Sequence, residues 1–479
     1  MEEQKIKQSH IAIVPTPGLG HLIPFIEFAK LLITRFDLSV TLLLQTRSID
    51  IPSHQQSSLL SSLPNTISYH FLPPVDLTHL PLDVSHDVTL SLIPLHSVLP
   101  IREVLSSLTT RFNLLALVTD LFGSAFFDVA KEIGIPPYIY FTTNATYLLF
   151  LMNLPRLDET MEGEFRDMDG PVVLPGCMVE FYVEDIEDSL QDRKGEAYAW
   201  NLHHVKKYAL TEGIFVNSFQ SLEPDAFTGL RNGDPSWPPV YPIGPVVRSS
   251  LDRDGKEPAG LECLSWLDQQ PSKSVLYVSF GSGGTLSREQ INELAIGLEK
   301  SGHGFLWVVR NPDDESSFGS YFGVQGEDDF FGFLPSGFVD RTKERGLLVR
   351  SWAPQVKVLG HGSIGGFLTH CGWNSVLESL VHGVPMIAWP LYAEQKTNAA
   401  MLDRGLKVAL RVKTNEKGIV EADNISKVVK DLIEGEEGTQ IRTRMAEFRS
   451  RARSSVDECG DSTKSLDEVV LQLMSSINA

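Results

Sequence analysis

The run His370-Cys371-Gly372-Trp373-Asn374-Ser375 places an imidazole, an amide and a hydroxyl where the pattern turns helical. A helix starting near Trp373 or Asn374 aims backbone N–H groups and the positive end of its dipole at whatever precedes it, and that end favours an anion. Glu378 lies four residues beyond Asn374 on the same helical face. Its carboxylate suits a vicinal diol such as that of ribose. Upstream, Trp352 and Gln355 offer a stacking plane and an amide; downstream, Glu394-Gln395 offers a carboxylate and an amide for further hydroxyls. Gly281-Ser282 closes an apolar run, and glycine there lets a phosphate approach the backbone. These groups meet the needs of a nucleotide bearing a diphosphate and a sugar.

A second pair stands near the start. Gly18-Leu19-Gly20-His21 comes after the apolar run His10–Val14. A dinucleotide-binding turn would read G-x-G-x-x-G, but its third glycine position holds Ile23, so that reading fails. There remains a histidine at the mouth of a strand-to-helix turn. Asp120 ends another strand-like run, Leu114–Val118. An imidazole whose second nitrogen is held by a carboxylate is oriented and made more basic. No G-x-S-x-G nucleophile elbow is found.

The elements that must position these groups are legible in outline. Short apolar runs alternate with helical patterns, as parallel sheets require. Strands are expected at His10–Val14, Ser39–Leu44, Leu114–Val118, Ser274–Phe280, Gly304–Val309, Gly365–Leu368 and Pro385–Ala388, with helices at Leu22–Thr34 and Ser462–Ser476. The polar stretch RSSLDRDGKEPAG reads as a linker. The expected fold is α/β, with two Rossmann-like parallel-sheet domains facing a cleft: residues 1–247, a linker at 248–260, residues 261–460, and a closing helix at 461–479 packed back on the first domain. The acidic insert 311–331 reads as a functional or disordered loop.

At 479 residues the chain exceeds one ordinary core. Its 41 basic and 61 acidic residues give a net charge of −20, which argues against a nucleic-acid partner. The four cysteines, Cys177, Cys263, Cys371 and Cys459, are widely spaced, as in a reduced cytoplasmic protein. The start MEEQKIKQSH has no signal-peptide character, and no apolar run reaches a membrane span. Two Asp-x-Asp patterns, Asp167-Met168-Asp169 and Asp252-Arg253-Asp254, lie in loop-like sequence and are expected by chance in an acidic chain. No metal site is expected.

From PTPGLGH to the closing helix, and most densely over Trp352–Gln395, the chain resembles the plant secondary-product UDP-dependent glycosyltransferases. The resemblance implies the GT-B fold and UDP-glucose as co-substrate. It implies that Trp352 stacks on uracil with Ala353 and Gln355 beside it, and that Glu378 binds ribose. His370, Asn374, Ser375 and Ser282 would hold the diphosphate, while Trp373, Thr143, Glu394 and Gln395 would contact the sugar. The terminal Gln of the box implies glucose. His21 and Asp120 would be the base and its partner. Gly20, Phe122, Phe150, Asp87 and Tyr392 would line the acceptor pocket. The segments PPVDLT, FGSGGTLS and PLYAEQ resemble members that glucosylate small phenols, hydroquinone and indoxyl among them. The expectation is a monomeric, metal-independent, inverting O-glucosyltransferase with no permanently bound cofactor. The competing expectation is a non-catalytic nucleotide-sugar binder of the same fold.

Overall fold

The structure is a computed structural model describing residues 7–48, 54–81, 84–248, 258–314, 331–350 and 352–475. The chain forms two compact units. One comprises residues 1–183, 188–246 and 454–479, and the other residues 184–187 and 247–453.

The first unit is built on a seven-stranded sheet ordered β3-β2-β1-β4-β5-β6-β7. Its strands are β1 (Ser9–Val14), β2 (Ser39–Leu44), β3 (Ile67–Phe71), β4 (Asn113–Thr119), β5 (Pro137–Phe141), β6 (Gly213–Val216) and β7 (Val240–Pro242). The second unit carries a six-stranded sheet ordered β10-β9-β8-β11-β12-β13. Its strands are β8 (Val275–Ser279), β9 (Gly304–Val309), β10 (Gly346–Arg350), β11 (Ile364–Thr369), β12 (Met386–Ala388) and β13 (Ala409–Arg411). Every pairing in both sheets is parallel. β2, β5, β8 and β11 are buried at every residue, which is why they read as unbroken apolar runs.

In each sheet the winding reverses once. The chain leaves β1 towards β2 and β3, then crosses to β4 on the other side; likewise β8 leads to β9 and β10 before β11. The crevices beyond the β1/β4 and β8/β11 ends are therefore where such sheets bind ligands.

The expected strands all form, with ends differing by at most one residue. β3, β5, β6, β7, β10 and β13 are additional. The first helix is Leu19–Arg35, three residues longer at its start than expected. Gly18, at φ 116°, turns the chain sharply, and Leu22 N–H already reaches the Gly18 carbonyl at 2.9 Å. His21 is thus a first-turn helical residue rather than part of an open turn. The helix Asp461–Ser475 sends Leu466, Val469 and Val470 into the same core as Ile11, Phe25 and Phe28 of the first unit. Residues 184–187 join the second unit because Asp185, fully buried, receives Arg404 and Arg411, the latter at 2.8 Å. The expected linker lies mostly outside the described residues, as do Asp252-Arg253-Asp254 and most of 311–331. Residues 258–260 open the helix Pro258–Leu267. No single helix among the described residues is long and apolar enough to cross a membrane. The four cysteines are free thiols.

Within β1 of the first sheet His10 is 1 % exposed, with Nδ1 2.7 Å from Ser39 Oγ and Nε2 2.9 Å from Thr41 Oγ1. Burial, and secondarily Arg111, lower its pKa to about 4. Unfolding restores the ordinary value near ~6.5, so between these limits the unfolded chain binds the extra proton. The contribution is complete above that range and is lost as pH falls towards 4. The thermal midpoint of the wild type should therefore fall more steeply from pH 6.5 to 4 than that of His10→Gln. The difference in slope should approach one proton, about 1.4 kcal/mol per pH unit. Parallel profiles would contradict this account.

Candidate functional site

In the first unit the two residues named from the ends of β1 and β4 come together. His21 Nδ1 lies 3.2 Å from Asp120 Oδ2. The distance is that of a hydrogen bond, but the ring N–H is not aligned on the oxygen in this conformation. Asp120 is fully buried, and two backbone donors fix it: Thr16 N–H at 2.7 Å to Oδ2 and Phe122 N–H at 3.1 Å to Oδ1. The histidine side chain keeps 16 % exposure, so it can meet a substrate. A Cβ added at Gly20, beside it, would meet nothing within 4 Å.

The surroundings are aromatic and largely neutral. Phe122 sets its edge against His21 at 6.1 Å and against His204 at 5.8 Å. His204 is held at both nitrogens, by Ser124 Oγ at 2.7 Å and Ser91 Oγ at 2.9 Å, and burial lowers its pKa to about 3. His86 is lowered to about 3 by burial, with His21 and Arg47 adding to the shift. Asp87, next along the helix His86–His96, accepts from Asn201 Nδ2 at 3.1 Å, and burial raises its pKa. Phe150 is 2 % exposed and meets Phe181 edge-on at 5.0 Å, so its ring belongs largely to the core. Thr143 is anchored through its neighbours in the chain. Asn144 caps the helix Ala145–Thr160, and buried Glu223 accepts from the N–H groups of Ala145 and Thr146.

In the second unit Gly281-Ser282 follow β8 and His370 follows β11, while Trp352 and Gln355 follow β10 and Glu394-Gln395 follow β12. The helix is Trp373–His382, with Gly372 as its N-cap and no side chain capping it. His370 precedes it, and its ring lies against two glycines. A Cβ at Gly281 would stand 2.6 Å from the imidazole, and one at Gly372 2.5 Å from Nε2. These two glycines are required by close approach, and Gly281 also by its φ of 78°. Burial, then the charge of Arg310, lower the His370 pKa to about 4. The ring is therefore neutral near pH 7 and can donate one hydrogen bond to an anion without carrying a charge.

Gln355 links three groups: its Nε2 donates to Ser375 Oγ at 2.9 Å and to Glu378 Oε2 at 2.7 Å, and its Oε1 accepts from Tyr277 OH at 3.3 Å. Glu378 is 7 % exposed, and Trp352 is half-buried three residues before Gln355. Ala353 is buried. Trp373, the first residue of that helix, is 2 % exposed. Gln395 Oε1 accepts the N–H groups of Leu391 and Tyr392 at 3.0 and 3.1 Å, and its side chain also bonds the Tyr392 side chain. Glu394 Oε1 accepts from Asn398 Nδ2 at 3.1 Å, and the same amide donates to the Cys371 carbonyl at 2.9 Å. Cys371 (φ 67°) and Ala393 (φ 52°) adopt the left-handed region without being glycine, and both adjoin the named residues. Such strain is characteristic of ligand-binding turns.

Sequence reasoning misses Tyr277, Asn398, His204 and Arg310. Of these, Arg310 carries a findable signal, as a cation placed directly after a parallel strand. Asp167 and Asp169 are exposed on the surface. Among the described residues no three His, Cys, Asp or Glu side chains converge as metal ligands.

Residues 239–439 match the family model described as UDP-glucoronosyl and UDP-glucosyl transferase. The chain is 47 % identical over 470 residues to the hydroquinone glucosyltransferase of Rauvolfia serpentina, covering 98 % of this chain and 99 % of that protein. It is 51 % identical over 466 residues to UDP-glycosyltransferase 72B3 of Arabidopsis thaliana, covering 97 % and 95 %. Among solved structures, Phytolacca americana UGT2 complexed with UDP-2fluoro-glucose and pterostilbene superposes with a TM-score of 0.89 at 55 % identity, covering 98 % and 100 %. A Polygonum tinctorium UDP-glucosyltransferase capable of glucosylating indoxyl, in complex with 3,4-dichloroaniline, gives 0.89 at 44 % identity, covering 98 % and 99 %. The two Rossmann-like parallel-sheet units, the groups at their switch points and this full-length similarity have one conclusion: the chain belongs to the UDP-glycosyltransferase family of these plant enzymes and has its GT-B fold.

Proposed function

We propose that this UDP-glycosyltransferase moves glucose from UDP-glucose to the hydroxyl of a small aromatic acceptor, with inversion, giving a β-D-glucoside. The observation that carries the reaction is the buried Asp120 against His21, 3.2 Å apart, with the imidazole still reachable. His21 takes the acceptor proton as the oxygen attacks the anomeric carbon, and the bond to the UDP oxygen breaks on the opposite face. Asp120 holds the imidazolium that results. On the donor side Trp352 stacks on uracil and Glu378 with Gln355 takes the ribose. The first N–H groups of the helix Trp373–His382, with neutral His370, Asn374, Ser375 and Ser282, receive the departing diphosphate. Gln395 and Glu394 hold the sugar. Glucose and a phenolic acceptor are supported by the names of the relatives, one acting on hydroquinone and one on indoxyl.

If Glu378 binds the ribose, Glu378→Ala should weaken UDP and UDP-glucose alike, by about 1–3 kcal/mol for a lost charged hydrogen bond. Gln395→Ala should weaken UDP-glucose and spare UDP. Calorimetric titration of both nucleotides decides it, and undiminished UDP affinity in Glu378→Ala would overturn the assignment.

The base should matter in proportion to the acceptor's own acidity. Proton removal typically contributes ~10²–10⁴-fold. His21→Ala should lose most of that with ordinary phenols and less with nitrophenols already ionised near neutral pH. The measurement is kcat/KM for both proteins across phenols of graded pKa. A ratio that stays flat along the series would make His21 a positioning group only.

A cradle of N–H groups, a neutral imidazole and hydroxyls requires no divalent cation. Activity after exhaustive EDTA treatment should remain within about twofold of the untreated enzyme, well below the several kcal/mol a metal supplies when it carries the charge. Loss that Mg²⁺ or Mn²⁺ restores would refute the metal-free mechanism.

A further inference from the structure

Resting on the donor-site reading under Proposed function, we propose that Arg310 is the cationic positioning residue of the diphosphate site: it sets the turn after β8 and places a fixed positive charge near His370. Arg310 directly succeeds β9, the neighbour of β8. Its Nη1 donates to the Ser282 carbonyl, in the turn that carries Gly281 and Ser282. Two further bonds stitch the same segments together. Thr285 Oγ1 donates to the Asn311 carbonyl at 2.6 Å, and Asp313 N–H donates to the Leu286 carbonyl at 3.1 Å. The residues after β9 therefore hold the whole turn 281–286, and with it Gly281, the glycine against which His370 packs. Arg310 is half-buried and lines a small pocket with Phe280, Gly284, Ile291 and Trp307.

The charge reaches the site as well as the backbone. Arg310 acts electrostatically on both His370 and Tyr392. A guanidinium keeps its proton even when burial lowers its pKa, as it does here. When the glucosyl bond breaks, the diphosphate gains negative charge. A cation fixed near the imidazole stabilises that state more than the intact donor, so it acts on the bond-breaking step beyond its effect on binding.

The test uses full-length Arg310→Met and Arg310→Lys, with UDP and uridine as probes. Uridine has the base and ribose but no phosphate. Arg310→Met should bind UDP at least about tenfold more weakly, as for a lost charge-assisted contact, while uridine stays within about twofold. With UDP-glucose, kcat should fall by a larger factor than KM rises. Arg310→Lys keeps the charge but not the fork, and should recover part of the UDP affinity. Equal loss for UDP and uridine would overturn the proposal in favour of a scaffold role, and so would no loss for either. If Arg310→Met fails to fold, the lysine variant decides alone: UDP affinity and kcat both at wild-type values would refute the need for the fork contact to Ser282. Wild-type protein that binds uridine no worse than UDP would refute the diphosphate site itself, and this inference with it.

Discussion

The chemistry of this chain depends on a constraint of parallel sheets: a strand order that reverses leaves a crevice between two carboxyl ends that no crossover covers. Each unit has one such reversal, at β1/β4 and at β8/β11. His21 comes after β1 and Asp120 after β4. Ser282 comes after β8 and His370 after β11. Residues about a hundred positions apart are thus delivered side by side by strand register alone, with Val14 opposite Thr119 and Ser279 opposite Thr369. The sheet cores fix the crevices, and local hydrogen bonds such as those to Asp120 and from Gln355 fix the groups at their mouths.

The two mouths use their histidines in opposite ways. His21 is partly exposed and faces the buried Asp120 carboxylate. His370 is enclosed by Gly281 and Gly372 beside a cation, which keeps its ring neutral. The cost of this arrangement is carried by the backbone. Glycine is required at both contact points, and Cys371 and Ala393 accept left-handed conformations that their side chains disfavour.

Much of this is legible in the sequence because function and burial leave different marks. β1, β2, β4, β8 and β9 are long apolar runs, and the polar residues just after them stand out: His21, Asp120 and Ser282. The Trp352–Gln395 stretch is legible as a set, since stacking, amide, imidazole and carboxylate groups rarely share one short segment without a ligand. The parts that escape do so for physical reasons. β6, β7 and β13 have four, three and three residues, too few to show a period. Leu19–Arg35 begins early because Gly18 supplies a φ that no pattern of hydrophobicity records. Arg310 heads an acidic, loop-like insert, and it is held by the distant turn 281–286. Gln355 reads as a ligand for the nucleotide, and its hydrogen bonds also make it the brace of Ser375 and Glu378. Phe150 and Trp373 carry their aromatic rings mostly into packing, a division that residue type alone does not express.

The account stands most directly on the reaction itself. Wild-type enzyme incubated with UDP-glucose and hydroquinone, then assayed by proton NMR, reports both products and the anomeric configuration. The account predicts one UDP for each glucoside formed and a large, trans-diaxial coupling at the anomeric proton of the product. An α-glucoside would contradict the single displacement, and UDP accumulating with free glucose in place of glucoside would contradict His21 as the base that delivers an acceptor oxygen.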